Sequence, residues 1–113
     1  MLKIGNLGVP SERPARPVVI ITGASRGLGI AIAKELSRLK RFRLVLTARH
    51  GSMDRFQEGG IEEDEHTWLH ALDVTDESER AQLIGDVAER WGRIDVLINN
   101  AGVMTRAVVE HVT

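Results

Sequence analysis

The chain is 113 residues long, with 42% hydrophobic and 27% charged residues, which fits one globular domain at most. Its formal net charge is −1, so no general attraction to nucleic acid or to an anionic membrane surface is expected. There is no cysteine, which excludes disulfides, thiolate metal sites and thiol catalysis.

That absence is compatible with a reducing compartment. With no apolar leader and no run long enough to span a bilayer, a cytoplasmic protein is the expectation. The first stretch, "MLKIGNLGVPSERPAR", carries the breakers Gly5, Gly8, Pro10 and Pro14 with mixed charge and no sustained period. It reads as an irregular extension over residues 1–16, with the ordered domain over 17–113.

After Pro17 comes Val18-Val19-Ile20-Ile21, a β-branched run without polar alternation. Such a run suits a strand buried on both faces, as in a parallel sheet. The glycine-containing stretch "ITGASRGLGI" follows, and then Leu28, Ile32, Leu36 and Leu39 recur at helical spacing. That pattern predicts an amphipathic helix of about three turns. Beyond the basic cluster Lys40-Arg41-Phe42-Arg43, Leu44-Val45-Leu46 predicts a second strand. The polar stretch from His50 to His66 gives only a weak signal for a short helix over residues 52–58.

Trp68-Leu69-His70-Ala71-Leu72 predicts a third strand, ending at Asp73-Val74. Asp76, with Glu79 three residues on, has the pattern of a capping box. The helix it opens would present Ala81, Ile84, Val87, Ala88 and Trp91 on one face, and Gly92 would stop it. Ile94-Asp95-Val96-Leu97-Ile98 predicts a fourth strand, ending at Asn99-Asn100-Ala101-Gly102. Strands and helices alternating at this spacing imply right-handed crossovers and a parallel sheet. Ligands of such sheets bind at the carboxyl ends of the strands, where every Gly-, Asp- and Asn-containing motif of this chain lies.

The glycine loop has a physical reading. The first turn of a helix offers unpaired N–H groups and a favourable dipole to a phosphate, provided no side chain keeps the phosphate away. Gly23 can supply the tight turn after the strand, Gly27 the open approach and Gly29 close packing of helix on sheet. A Walker loop would end in Gly-Lys-Ser/Thr, and Gly29-Ile30-Ala31 does not.

With Thr22 in front, "TGASRGLG" resembles the cofactor motif of the classical short-chain dehydrogenase/reductase family. Asp73-Val74 and "NNAG" at positions 99–102 are similar to two further motifs of that family, in the same order. The resemblance implies a Rossmann-type α/β fold, a doubly wound parallel sheet represented here by about four strands. It implies that Gly23, Gly27 and Gly29 hold a pyrophosphate, with contacts from Ser25, Arg26 and Leu28. Asp73 would accept a hydrogen bond from the adenine amino group and Val74 would pack on the ring. Asn100, Ala101 and Gly102 would border the nicotinamide-side ribose.

Cofactor choice turns on the end of the second strand, about 20 residues past the glycine loop, where an acidic residue would hold the ribose hydroxyls of NAD. Here the chain reads Leu46-Thr47-Ala48-Arg49-His50, with no carboxylate before Asp54. Arg49 and the loop's Arg26 could bracket a 2′-phosphate, so NADP is expected in preference to NAD. His66 and His70 read as surface or half-buried histidines. The acidic run at residues 62–65 reads as a solvated loop.

The resembled family carries out its proton transfer with a Tyr-x-x-x-Lys pair, and this chain contains no tyrosine. The expectation is therefore a cofactor-binding N-terminal half of an NADP-dependent oxidoreductase for carbonyl or alcohol substrates. No catalytic residue and no metal site is assigned, and a substrate would require the absent half. A non-catalytic NAD(P)-binding or regulatory module is the alternative, and an unrelated nucleotide binder of methyltransferase type is a third reading. In the family's strand order the fourth strand is interior, so the 94–98 strand would be an unprotected edge, either covered by a partner chain or left open in a truncated gene product of marginal stability.

Overall fold

The computed structural model describes residues 15–101. The expected N-terminal extension therefore lies almost wholly outside the described residues, as does Gly102. Four parallel strands form one sheet: β1 (Val18–Thr22), β2 (Arg43–Ala48), β3 (Thr67–Ala71) and β4 (Val96–Asn99). They lie in the order β3-β2-β1-β4. Helices α1 (Gly27–Leu39), α2 (Asp54–Glu58) and α3 (Glu77–Trp91) make the crossovers, with a 3-10 turn at His50–Ser52. The alternation read from the sequence is observed.

The β-branched run of β1 is buried along its whole length, because helices cover both faces of the sheet. On one face Val19, Ile21, Leu44, Leu46 and Ala48 pack with Ala33 of α1 and Phe56 of α2. On the other, Val18, Ile20 and Val45 pack with Leu72 and with Leu83 and Val87 of α3. Successive strand residues point to opposite faces, so a doubly covered strand shows no apolar–polar alternation.

The buried stripes of the two longer helices differ from the ones read in the sequence. In α1 the residues against the sheet are Gly29, Ala33 and Leu36, with Ile30 and Ile32 beside them, whereas Leu28 is 69% exposed. In α3 the core residues are Leu83 and Val87, and Ala81 and Ala88 face solvent. A small residue gives little apolar signal yet is what lets a helix approach a sheet closely. Alanines on a solvent face mimic a stripe they do not join.

The fourth strand also begins later than expected, at Val96, because Asp95 is committed elsewhere. Its Oδ2 accepts the buried Val18 N–H at 2.8 Å, and its own N–H donates to the Val18 carbonyl at 3.0 Å. Arg93 grips the same carboxylate with two bonds of 2.8 Å. The carboxylate thus supplies the partner that the first residue of β1 lacks from the sheet. Among the described residues β4 pairs only with β1, and Val96 is 44% exposed. No helix among them is long and apolar enough to cross a membrane.

Two stability predictions follow. Thr47, on β2, is 1% exposed, and its hydroxyl has no hydrogen-bond partner. A buried polar group left unpaired costs about 1–3 kcal/mol. Thr47→Val should therefore stabilise the fold by about 1 kcal/mol, raising the Tm by about 4–8 °C. An unchanged or lowered Tm in thermal denaturation would show that the hydroxyl is satisfied in solution.

The second concerns acid. The Arg93 side chain, and after it the Val18 N–H, hold the Asp95 carboxyl below its ordinary value. A depressed folded-state value means stability that is present above the unfolded-state pKa and lost as pH falls through the folded one. Asp95→Asn should lower the Tm at neutral pH. It should also flatten the fall in Tm below about pH 4. Parallel Tm–pH curves for parent and variant would exclude the linkage.

Candidate functional site

The site is built on the turn that leaves β1. Gly23 and Gly27 both have left-handed backbone, with φ of +60° and +57°. Between them Ala24 and Ser25 are buried, and the Ala24 N–H continues the ladder to the Thr47 carbonyl at 2.9 Å. The chain then enters α1 from Arg26, which is extended at φ −159° and gives no side-chain cap to the helix. No acidic residue lies in the first turn. The N-terminal N–H groups of α1 thus have neither a capping oxygen nor a carboxylate beside them.

A second set of bonds holds this turn from below. The Asn100 side-chain amide donates to the Gly23 carbonyl at 2.9 Å. Thr22 Oγ1 donates to Asn99 Oδ1 at 3.1 Å and accepts the Ala101 N–H at 3.1 Å. The end of β4 is therefore stitched to the end of β1 by three side chains, Thr22 at the end of β1 and Asn99 and Asn100 of the NNAG motif. Gly29 sits against this stitch. A Cβ there would overlap the Gly23 carbonyl oxygen and stand 2.7 Å from Asn100 Nδ2. At Gly27 a Cβ would meet nothing within 4 Å. The two glycines therefore differ in kind: one permits packing, the other borders open space.

That open space is a cleft of about 480 Å³ over the carboxyl ends of all four strands. Of the residues singled out in the sequence, Gly23, Ser25, Arg26, Gly27, Leu28, Arg49, Val74, Asn100 and Ala101 line it. Gly29 and Asp73 do not. Gly29 is buried beneath the turn, and Asp73 Oδ1 accepts the Thr75 N–H at 3.0 Å and the Thr75 hydroxyl at 2.6 Å. Those two bonds, the hydroxyl first, hold the Asp73 carboxyl below its ordinary range.

The sequence reading missed Ala48, Ser52, Leu72 and Thr75, which also line the cleft. Small and apolar residues at strand ends carry no motif of their own, and only the sheet order brings them together. It missed the stitching role of Thr22 and Asn99 as well, though both stand inside quoted motifs.

The electrostatics are one-sided. Arg26 and Arg49 border the cleft, and neither forms an ion pair with a described residue. Among the described residues no carboxylate lines the cleft. Opposite Arg49, at the start of α3, Asp76 caps the Glu79 N–H at 3.2 Å. The expected capping box is only half formed. Glu79 does not return to the Asp76 N–H, because its Oε1 accepts from Asp73 N at 2.9 Å and contacts His50 Nε2 at 3.1 Å. Among the described residues no group of three or more His, Cys, Asp or Glu side chains could hold a metal ion. The cleft thus offers free backbone donors, an approach cleared by glycine, two guanidiniums and an apolar wall from Leu72 and Val74. It suits an elongated anionic ligand with an aromatic end.

Known proteins are similar to this chain in sequence and in fold. The chain is 38% identical over 93 residues to gluconate 5-dehydrogenase of Gluconobacter oxydans, covering 81% of this chain and 36% of that protein. It is 33% identical over 98 residues to "Carbonyl reductase [NADPH] 1" of Rattus norvegicus, covering 82% of this chain and 34% of that one. A metagenomic short-chain oxidoreductase solved in complex with NADP superposes with a TM-score of 0.64 at 38% identity. That match covers 77% of this chain and 39% of the other. The chain therefore spans a little over a third of the length of these relatives. The family model described as short chain dehydrogenase matches residues 17–113. On the fold, the glycine turn, the NNAG stitch and these matches together, the chain belongs to the short-chain dehydrogenase family of oxidoreductases.

Proposed function

We propose that residues 17–113 are the dinucleotide-binding part of a cytoplasmic NADP(H)-dependent oxidoreductase acting on a carbonyl or alcohol group. The observation that carries the cofactor choice is the pair Arg26 and Arg49, which border the cleft without an ion pair to a described residue, while the nearby Asp73 carboxylate is bonded to Thr75. A 2′-phosphate between two guanidiniums gains charge-assisted bonds of about 1.5–3 kcal/mol each before competing costs. The pyrophosphate lies over Gly23 and Gly27 at the uncapped start of α1, with Ser25 and Leu28 at its sides. Val74 packs on the adenine, near Asp73. Asn100, Ala101 and Gly102 border the nicotinamide-side ribose.

The bound nicotinamide would supply the hydride. The chain's own residues bind and orient it, and they offer no tyrosine to hand a proton to a developing alkoxide. Additional sequence, in the same polypeptide or in a partner chain along the exposed edge of β4, supplies that donor and the substrate pocket. The relatives' names, dehydrogenases and a carbonyl reductase, support the reaction class.

Binding tests the cofactor reading directly. In titrations of the 113-residue chain, Arg49→Ala should weaken NADPH by about tenfold or more, at about 1.4 kcal/mol per decade, and leave NADH nearly unchanged. Equal losses for both would remove the phosphate role. Gly27→Val should abolish binding of both dinucleotides while the far-ultraviolet circular dichroism stays close to the parent's, since the side chain would enter the open approach and a β-branched residue strains the left-handed turn at φ +57°. Survival of binding would reduce the glycine turn to a structural connection. The chain alone should not consume NADPH with a panel of aldehydes and ketones, and supplying a proton-donating half in cis or in trans should restore turnover. NADPH oxidation by the pure chain would contradict this assignment.

A further inference from the structure

We propose that Glu79 is a positioning residue for the adenosine end of the cleft. One carboxylate oxygen joins the wall that carries Asp73 and Val74 to the turn that carries Arg49. This rests on the dinucleotide reading above and adds a residue that does not line the cleft.

The geometry is that of a clamp. Glu79 Oε1 accepts the Asp73 N–H at 2.9 Å and contacts His50 Nε2 at 3.1 Å. Asp73 stands just beyond β3, where the last ladder bond is Leu72 N–H to the Ala48 carbonyl at 2.8 Å. Its N–H therefore has no strand to pair with, and a carboxylate gives it a charge-assisted acceptor. His50 follows Arg49 directly and opens the 3-10 turn closed by Ser52 N–H to the Arg49 carbonyl at 2.8 Å. Glu79 itself sits on α3, with its own N–H held by Asp76 at 3.2 Å. A rigid element thus ties together two loops that are separate in sequence and that both contribute residues to the cleft lining.

The His50–Glu79 pair is too exposed to matter much for stability, with side-chain exposures of 65% and 34%. Its consequence is geometric: it fixes where the Arg49 turn stands relative to Val74. The Asp73 N–H first, and His50 after it, hold the Glu79 carboxyl below its ordinary value, so the acceptor stays ionised at neutral pH.

The two arms of the clamp serve different parts of the ligand. The Asp73–Val74 wall meets the adenine common to NADPH and NADH, whereas the Arg49 turn meets only the 2′-phosphate. Glu79→Ala should therefore weaken both cofactors, NADH by about fivefold and NADPH by more, so that the NADPH-to-NADH affinity ratio falls. His50→Ala should weaken NADPH and leave NADH near the parent value. Glu79→Gln keeps an oxygen that both donors can reach, so it should recover most of the affinity and the ratio. Glu77→Ala, on the same helical turn but facing solvent, controls for the lost negative charge at the start of α3 and should change neither affinity.

Amide hydrogen exchange on the cofactor-free protein reads the clamp independently. Exchange at Asp73 and Ser52 should quicken in Glu79→Ala and return toward the parent rate in Glu79→Gln. The proposal is overturned if Glu79→Ala binds both cofactors like the parent, if Glu79→Gln is no better than Glu79→Ala, or if Glu77→Ala does the same damage. A parent chain that binds neither dinucleotide would overturn the cofactor reading, and this role with it. Normal binding by the parent with an indifferent Glu79→Ala would overturn the role of Glu79 alone.

Discussion

The bond from the Asn100 side-chain amide to the Gly23 carbonyl, 2.9 Å long, holds the centre of this structure. It fixes the peptide that follows β1 in the orientation that gives Gly23 its positive φ and sends the chain into α1. The Thr22 hydroxyl, bonded to Asn99 Oδ1 and to the Ala101 N–H, secures the same junction from the strand side. Because the bonded residues lie nearly eighty positions apart in the chain, the glycine turn takes its shape only once β4 is paired with β1. The open start of α1 and the cleft above it both follow from that pairing.

The sheet around this junction has little polar slack. Strands covered on both faces leave buried backbone groups that only the ladder or a well-placed side chain can satisfy. Asp95 does this at the start of β1 and Glu79 does it beyond the end of β3. Both are carboxylates that accept from a backbone N–H, and both replace a feature expected from sequence, the first two residues of the fourth strand in one case and half a capping box in the other. Thr47 is the counterexample, a buried hydroxyl without a partner.

The charge distribution follows from the same division. Acidic side chains near the cleft are engaged with protein donors: Asp73 with Thr75, Glu79 with Asp73 and His50, Asp76 with the start of α3. The basic ones, Arg26 and Arg49, are left toward the open space. A chain of net charge −1 thereby places two guanidiniums and no described carboxylate on the cleft lining, which the overall charge does not reveal.

Much of this was determined by local sequence. The β-branched run of β1, the breakers Gly23 and Gly92, the Asp76 cap and the order of strands and helices are short-range properties of the residues themselves, and each is observed. The three motifs also marked most of the cleft, because backbone approach and phosphate charge restrict which residues can stand there. Tertiary structure decided the rest. Which face of α1 is buried was settled by Gly29 and Ala33, whose small size matters only against a sheet. Whether Asp73 lines the cleft, what Glu79 bonds and which strand-end residues complete the wall depend on neighbours from other elements. The reason is physical: dihedral preference and amphipathic period act within a few residues, whereas a hydrogen-bond partner or a cleft wall exists only after distant strands have been brought side by side.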